Sequence, residues 1–385
     1  MMSNLQGKIL SSLDDISAQE WDSVANPVGA SFNPFISHGF LWALEKSGSA
    51  TAESGWAAHH IVVEQAGHVV GLAPCYVKSH SQGEYVFDHG WADAFQRAGG
   101  RYYPKLQVAV PFSPVVATKI SCQTENAGAA ICGVLETACN KNGYSSAHIT
   151  FASEHDASLL AGSKSWLERN DIQFHWHNAN YKTFDDFLAA LSSSKRKNLR
   201  KERQAVRDLG ITMQALTGED IKPAHWDAFW HFYMDTGSRK WGRPYLSRSF
   251  FEMMHDTMRD YILLVMAYHG KRPIAGALNF IGGDTLYGRN WGCLEQVPFL
   301  HFETCYYQAI DFAIARGLKV VEAGAQGEHK LARGYVPVKT VSFHHLAHPG
   351  LARAVKDYLE HERLAIAQGQ ADLAAHAPFR NVESE

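Results

Sequence analysis

The sequence has no long apolar run. Its most apolar stretches are short, as in Tyr261–Tyr268, and none approaches the roughly 18–20 residues that cross a bilayer as a helix. The first residues, Met1–Asp15, lack a cationic segment followed by an apolar one, so no secretory signal is expected and a cytoplasmic location is. No two of the six cysteines (Cys75, Cys122, Cys132, Cys139, Cys293 and Cys305) have C-x-x-C spacing. That removes zinc-ribbon and thioredoxin-like readings, and scattered single cysteines suit a reducing compartment. An excess of one charge is missing too. Lys and Arg total 36 against 39 Asp and Glu, a formal net charge of −3, so the molecule as a whole is no basic nucleic-acid binder.

What is present is a folded composition. With 385 residues and 46% hydrophobic side chains, the chain can bury a large core without disulfides or structural metals. Its length suits two or three domains. The two halves read alike. In the second, a strand at Ile211–Leu216 precedes a helix at Pro223–Thr236, a loop, and a helix at Arg248–Arg259. A three-stranded meander follows over Tyr261–Tyr268, Ile274–Ile281 and Thr285–Trp291. A helix at His301–Arg316 ends at Gly317, and strands at Lys319–Ala323 and Thr340–Leu346 close the half. The first half repeats the order. It has a strand at Lys8–Leu13, helices from Ser17 and Ser37, and a meander over Ile61–Gln65, Val69–Val77 and Glu84–Phe87. A helix at Gly128–Asn142, a strand at Ala147–Phe151, a helix near Ser163–Arg169 and a final strand at Ile172–His177 complete it. The expected division is a first domain at 1–180, a second at 181–350 opened by a basic linker helix at 192–209, and a helical tail at 351–385.

The element order β-α-α-β-β-β-α-β-α-β resembles the GNAT acyltransferase fold, here in tandem: an α/β (α+β) architecture with mixed, mainly antiparallel sheets and flanking helices. Longer strings carry the likeness further. LSSSKRKNLRKER, GRNWGCLEQVPFLHFETCYYQ and EAGAQGEHKLARGYVPV in the second half, with HGWADAF, YYPKL and VPFSPV in the first, resemble the Fem-like family of the GNAT superfamily. Its members are labelled peptidoglycan biosynthesis/recognition proteins. The resemblance implies acyl or aminoacyl transfer to an amine, with a cell-wall precursor as the acceptor class. It implies acyl-CoA or aminoacyl-tRNA as co-substrate, with no permanently bound cofactor. The alternative is a non-catalytic module that recognises such a precursor or a similar carrier.

Amine acylation needs an unprotonated nucleophile and a cation or N–H donors facing the developing oxyanion. Glu322, Glu328 and His329 are candidate bases, and Lys330 and Arg333 candidate cations. Fem-type enzymes carry a functional lysine in the corresponding loop, and Lys330 matches it by position. Arg289 and Gly292 partly fit the [Q/R]-x-x-G-x-[G/A] pattern with which GNAT enzymes hold the CoA pyrophosphate at a helix N-terminus, but Leu294 stands where Gly or Ala is expected. Trp291 lies between them. The loop bearing Arg239, Lys240, Trp241, Arg243 and Tyr245 would suit an acidic or sugar-bearing acceptor. In the first half, Asp88, His89 and Tyr103 are candidates to grip a large acceptor. Lys195, Arg196, Lys197, Arg200, Lys201 and Arg203 concentrate cationic charge on one helix, either to meet the phosphates of tRNA, a nucleotide-sugar carrier or an anionic membrane surface, or simply as a solvated linker. His175 and His177 share one side of a strand, but no carboxylate or cysteine is spaced to complete a shell, so no metal is expected.

Overall fold

Hydrogen-bonding strands alternate with amphipathic helices through both halves of the computed structural model, whose described residues are 5–240, 244–324 and 327–380, the side chains of Lys240 and Glu328 excepted. The first strands are β1 (Leu5–Leu10), β2 (Trp56–Ala58), β3 (His60–Gln65), β4 (His68–Ala73), β5 (Cys75–Lys78), β6 (Lys105–Val108), β7 (Ser121–Cys122), β8 (Ser146–Ala152) and β9 (Leu167–His177). Then come β10 (Ile211–Thr217), β11 (Ile262–His269), β12 (Arg272–Gly282), β13 (Thr285–Cys293), β14 (Val320–Glu322) and β15 (Val336–Leu346). The chain forms two compact units: one of Met1–Asp171 with Lys339–Gln368, the other of Ile172–Val338 with Gly369–Glu385. This differs from a division at 180/181 with a separate tail. The helix Pro349–Ala375 gives most of its length to the first unit, where Leu351, Val355 and Leu359 pack on Trp91 and Tyr102.

In the first unit β1-β3-β4-β7 form one sheet, and β15, β8, β6, β5 and β2 neighbour one another in that order. In the second unit the order is β10-β11-β12-β13-β14-β9. Both units contain a parallel pair, β6·β8 and β13·β14 respectively. The final strands are exchanged. Trp176 and His175 of β9 pair with Val321 and Glu322 in the second unit, and His344 and His345 of β15 pair with His148 and Ala147 in the first. Backbone hydrogen bonding is blind to which half a strand comes from, so packing selects the partner.

Local signals hold where side chains act on their own backbone. Ser17 and Glu20 form a reciprocal capping box at the helix Ala18–Ala25. Ser37 caps His38–Lys46. Two first-half expectations fail. Glu84–Phe87 is no strand, because Glu84 and Asp88 are drawn to the Lys105 ammonium instead. Ser163–Arg169 is no helix; β9 has begun by Leu167, and the helix lies earlier at Glu154–Leu160, boxed by Ser153 and Asp156. In the second half the meander and the helices stand as expected. The core there gathers Phe174, Trp176, Phe187, Tyr307, Ile310 and Val321. Among the described residues no helix is long and apolar enough to cross a membrane, and all six cysteines are free.

Candidate active site

β13 and β14 run parallel from Thr285/Val320 to Tyr287/Glu322, where their pairing ends. On the other side of β13 the register against β12 shifts: Asn279 faces Gly288 and Leu278 faces Asn290, leaving Arg289 as the extra residue of a bulge. A bulge re-aims its side chain. The Arg289 guanidinium donates to Glu322 at 2.7 Å, a pair whose side chains are 4% and 3% exposed. Beside it lies a cavity of about 90 Å³ lined by Asn279, Arg289, Asn290, Trp291, His301, Cys305, Tyr306 and Ala323 among others. That is room for a small acyl group and well below the several hundred Å³ of a whole-nucleotide pocket. The helix opposite is interrupted by a π turn at Glu303–Tyr307, which carries Cys305 and Tyr306; such turns recur at functional sites.

The Lys330 side chain is buried. Its Nζ donates to the carbonyl oxygens of Ala323 at 2.6 Å and Gly324 at 3.0 Å. Burial, helped by the Arg289 charge, lowers its pKa to about 8. Gly324 and Gly327 both have positive φ, 77° and 116°, a backbone region that glycine enters without strain. His329 is exposed, and its Nε2 meets the Tyr306 hydroxyl at 2.9 Å. Arg333 is bound to Glu202 and to the His329 carbonyl, with its guanidinium carbon 3.3 Å from the Phe302 ring centroid. Trp291 meets His301 edge-on at 5.2 Å.

The structure thus brings Arg289, Trp291, Glu322, His329, Lys330 and Arg333 together, and it revises several roles. Glu322 is the buried counter-ion of Arg289, so its carboxylate is committed rather than free to act as a base. Arg289 and Gly292 lie within β13, not at a helix N-terminus, so they form no pyrophosphate cradle there. Gly292 has a packing reason instead: a Cβ there would lie 2.3 Å from the Phe232 backbone. Arg239 joins Asp235 and the Cys293 carbonyl at the end of the helix Pro223–Lys240, where it ties down β13. Trp241, Arg243 and the side chains of Lys240 and Glu328 lie outside the described residues, and Tyr245 is exposed. Arg203 is not a phosphate contact. Its guanidinium is held by Glu303 and Asp311 and lies 4.3 Å from the Phe184 ring centroid. Lys197, Arg200, Lys201 and Arg207 remain exposed on the helix Ser193–Asp208.

Asp88, His89 and Tyr103 belong to the first unit and take no part in this cavity. Asp88 is buried against Lys105 and Tyr102, His89 is exposed, and the Tyr103 hydroxyl bonds Ser81. Among the described residues no group of three or more His, Cys, Asp or Glu is placed to hold a metal; His175 and His177 have ring centroids 6.3 Å apart. Sequence reasoning missed Asn279, His301, Cys305 and Tyr306 as lining residues. The dense aromatic and polar string His301–Tyr307 was a usable signal, but the π turn that aims it leaves no mark in periodicity.

Solved structures share the fold. The crystal structure of FemX superimposes with a TM-score of 0.54 at 13% identity, covering 89% of this chain and 98% of that one. A conserved protein of unknown function from Bacteroides thetaiotaomicron gives 0.52 at 11% identity, covering 86% and 98%. L-PGS from Bacillus licheniformis gives 0.51 at 9% identity, covering 92% and 99%. At these identities the likeness is one of fold. No curated protein matches the chain. A family model described as peptidoglycan biosynthesis/recognition matches residues 12–381, nearly the whole chain, which therefore belongs to the FemAB-like family.

Proposed function

We propose that the second unit transfers an acyl or aminoacyl group to an amine, with a peptidoglycan precursor as the acceptor class. The observation that carries this reading is the small cavity where β13 and β14 part, bordered by the loop that Lys330 holds. An ammonium has three N–H donors. Two of those on Lys330 are engaged by the carbonyls of Ala323 and Gly324, and the third would meet the oxyanion.

The acceptor nitrogen attacks the donor carbonyl carbon and forms the C–N bond. The oxyanion that develops is met by the Lys330 ammonium in a dry site, where charge stabilisation is strong. The amine proton passes to His329, which Tyr306 orients. The C–O bond of an ester donor, or the C–S bond of a thioester, then breaks, and the leaving oxygen or sulfur takes that proton from His329, which returns to its neutral form. Because Arg289 and Gly292 serve the strand, the donor is better read as aminoacyl-tRNA than as acyl-CoA gripped at that turn. Lys195, Arg196, Lys197, Arg200 and Lys201 would meet its phosphates.

Titration calorimetry with acetyl-CoA and with aminoacyl-tRNA identifies the donor. Lys330→Met should then lower transfer by about 10²–10³-fold, the scale of losing one oxyanion partner. Unchanged transfer would remove Lys330 from the mechanism. Binding of a precursor with no donor bound at all would favour the recognition module.

A further inference from the structure

The cavity beside β13 has a wall that the transfer steps above do not use. Asn279 of β12 lines it and is 1% exposed. Its Nδ2 donates to the carbonyl oxygens of Leu263 and Ala277, both at 3.2 Å. Two carbonyl oxygens can face only the NH₂ end of a carboxamide, so the orientation of the group is fixed and Oδ1 is the other end. Among the described residues no group donates to Oδ1, and that atom is not sealed from water.

What Oδ1 faces follows from the neighbouring strand. The register shift at the Arg289 bulge sets Asn279 opposite Gly288. A Cβ on Gly288 would lie 3.4 Å from Asn279 Oδ1, 3.5 Å from the Glu322 carbonyl oxygen and 3.9 Å from the Ala323 Cα. The absent side chain therefore leaves a notch where β13 and β14 part, bordered by a carboxamide oxygen and a peptide oxygen. Gly288 and Ala323 line the same cavity as Asn279. We propose that Asn279 is a specificity-determining residue, whose Oδ1 accepts a hydrogen bond from the α-amino group of an aminoacyl donor.

The chemistry selects a ligand group that donates. Oxygens border the notch, so what enters it must bring an N–H or O–H. An aminoacyl group carries its N–H donors on the carbon next to the reacting carbonyl. An acetyl group has only hydrogens on carbon at that place. It would displace water from Oδ1 and leave a buried acceptor unmet, which costs free energy. The inference rests on reading this cavity as the acyl site and deepens that reading. It names the residue that tells an aminoacyl donor from a plain acyl donor. Asn279 acts on the choice of donor and takes no part in breaking its bond.

The test compares two ligands that differ only at this group: tRNA carrying an alanyl or a propionyl unit through a 3′-amide link, which does not hydrolyse. Each is titrated against the full chain, and the ratio of the two affinities is read, so that phosphate contacts common to both cancel. The parent should prefer the alanyl ligand by about 10-fold, the scale of a hydrogen bond from a charged donor. Gly288→Ala fits without a clash and fills the notch, so it should bring the two affinities together. Asn279→Leu, which removes the acceptor, should do the same; if it does not fold, Gly288→Ala decides alone. Equal affinities in the parent, or a preference that Gly288→Ala leaves intact, would overturn the proposal. Binding of neither ligand would overturn it too, and transfer from acetyl-CoA would then leave the acyl-transfer reading standing. An alanyl preference lost in Gly288→Ala, without transfer to any amine, would support the role of Asn279 and sink the transfer reading instead.

Discussion

The two units treat buried charge in opposite ways around the same structural feature, a parallel strand pair. In the first unit β6 and β8 are sealed. Lys105 is fully buried and bonds Ser81, Glu84 and Asp88, while Tyr102 also donates to Asp88. Lys78, equally buried, lies 3.8 Å from Glu84, with its Nζ 3.6 Å from the Trp56 ring centroid. His148 and His344 meet at 2.6 Å through their Nδ1 atoms, and burial, with the nearby cations or histidine, holds both pKa values low. Here two lysines and two carboxylates clamp the segment 79–88 onto the sheet. In the second unit the corresponding charges, Arg289 and Glu322, stand beside an open cavity, and Lys330 donates to the backbone carbonyls of Ala323 and Gly324. One fold thus carries a closed ionic lock in one copy and an accessible pocket in the other. The two copies differ in what fills the space beside the parallel pair.

The lock offers the largest expected effect. Lys105→Met would strand Glu84 and Asp88 in the core, and breaking a buried pair of this kind typically costs about 3–5 kcal/mol. Denaturant titration should show a correspondingly lower midpoint, or no folded first unit. A loss under about 1 kcal/mol, the scale of a surface pair, would mean that the carboxylates reach water.

The pocket should respond through rate rather than stability. Since the Lys330 pKa is lowered to about 8, its ammonium is lost as pH rises through that value, and transfer should fall on the alkaline side. Lys330→Arg, which stays charged, should retain whatever residual rate it has without that fall. A parent profile flat from pH 7 to 9.5 would count against a charged lysine in the rate-determining step.

A smaller effect separates the two acids of the lock. Burial pushes Glu84 from its ordinary 4.5 up to about 7, although Lys105 and Lys78 oppose the shift. Its folded form therefore takes up a proton sooner than the unfolded chain does. The stability it contributes is fully present below pH 4.5 and is lost as pH rises towards 7. Asp88 behaves in the opposite sense. Burial works against its carboxylate, but Lys105 and His148 hold the pKa well below the usual range, so its contribution is lost only in acid. Glu84→Gln, a mimic of the protonated acid, should gain stability relative to the parent as pH goes from 5 to 7.5. A difference that does not change with pH would place Glu84 as ionised throughout.

The smallest effect concerns the basic helix. Replacing the exposed Lys197 and Lys201 with alanine should weaken tRNA binding uniformly. It should also flatten the salt dependence by about 0.7–0.9 for each phosphate that is no longer neutralised. Arg203→Ala should instead lower stability, because it orphans Glu303 and Asp311. An effect of Arg203→Ala on tRNA affinity alone would contradict its buried placement.

How much of the fold and site is legible in the chain follows from the range of each interaction. The cap at Ser17 was visible because an N-cap hydroxyl and the amide that donates to it lie on one helical turn, whereas its reciprocal partner Glu20 came only with the structure. The β11–β12–β13 meander was visible because short turns at His269–Pro273 and Gly282–Asp284 force neighbouring strands to pair. The Lys330 loop was found through its resemblance to a family, since nothing in its spacing alone says what the lysine touches. The pairing of Arg289 with Glu322 was not visible. It depends on a one-residue bulge and on a parallel neighbour 33 positions away. Nor was the burial of Arg203, whose acids come from a helix about a hundred residues later.

Caps, turns and apolar periodicity act within a few residues. The linear chain therefore specifies the kinds of elements, most of their limits, and the tandem repetition of one order. The exchange of β9 and β15 between units, the Lys105 lock in one copy and the cavity in the other emerge only once the chain is folded. Strand pairing and charge burial are selected by long-range packing, and a carboxylate or a strand edge carries no label naming its partner.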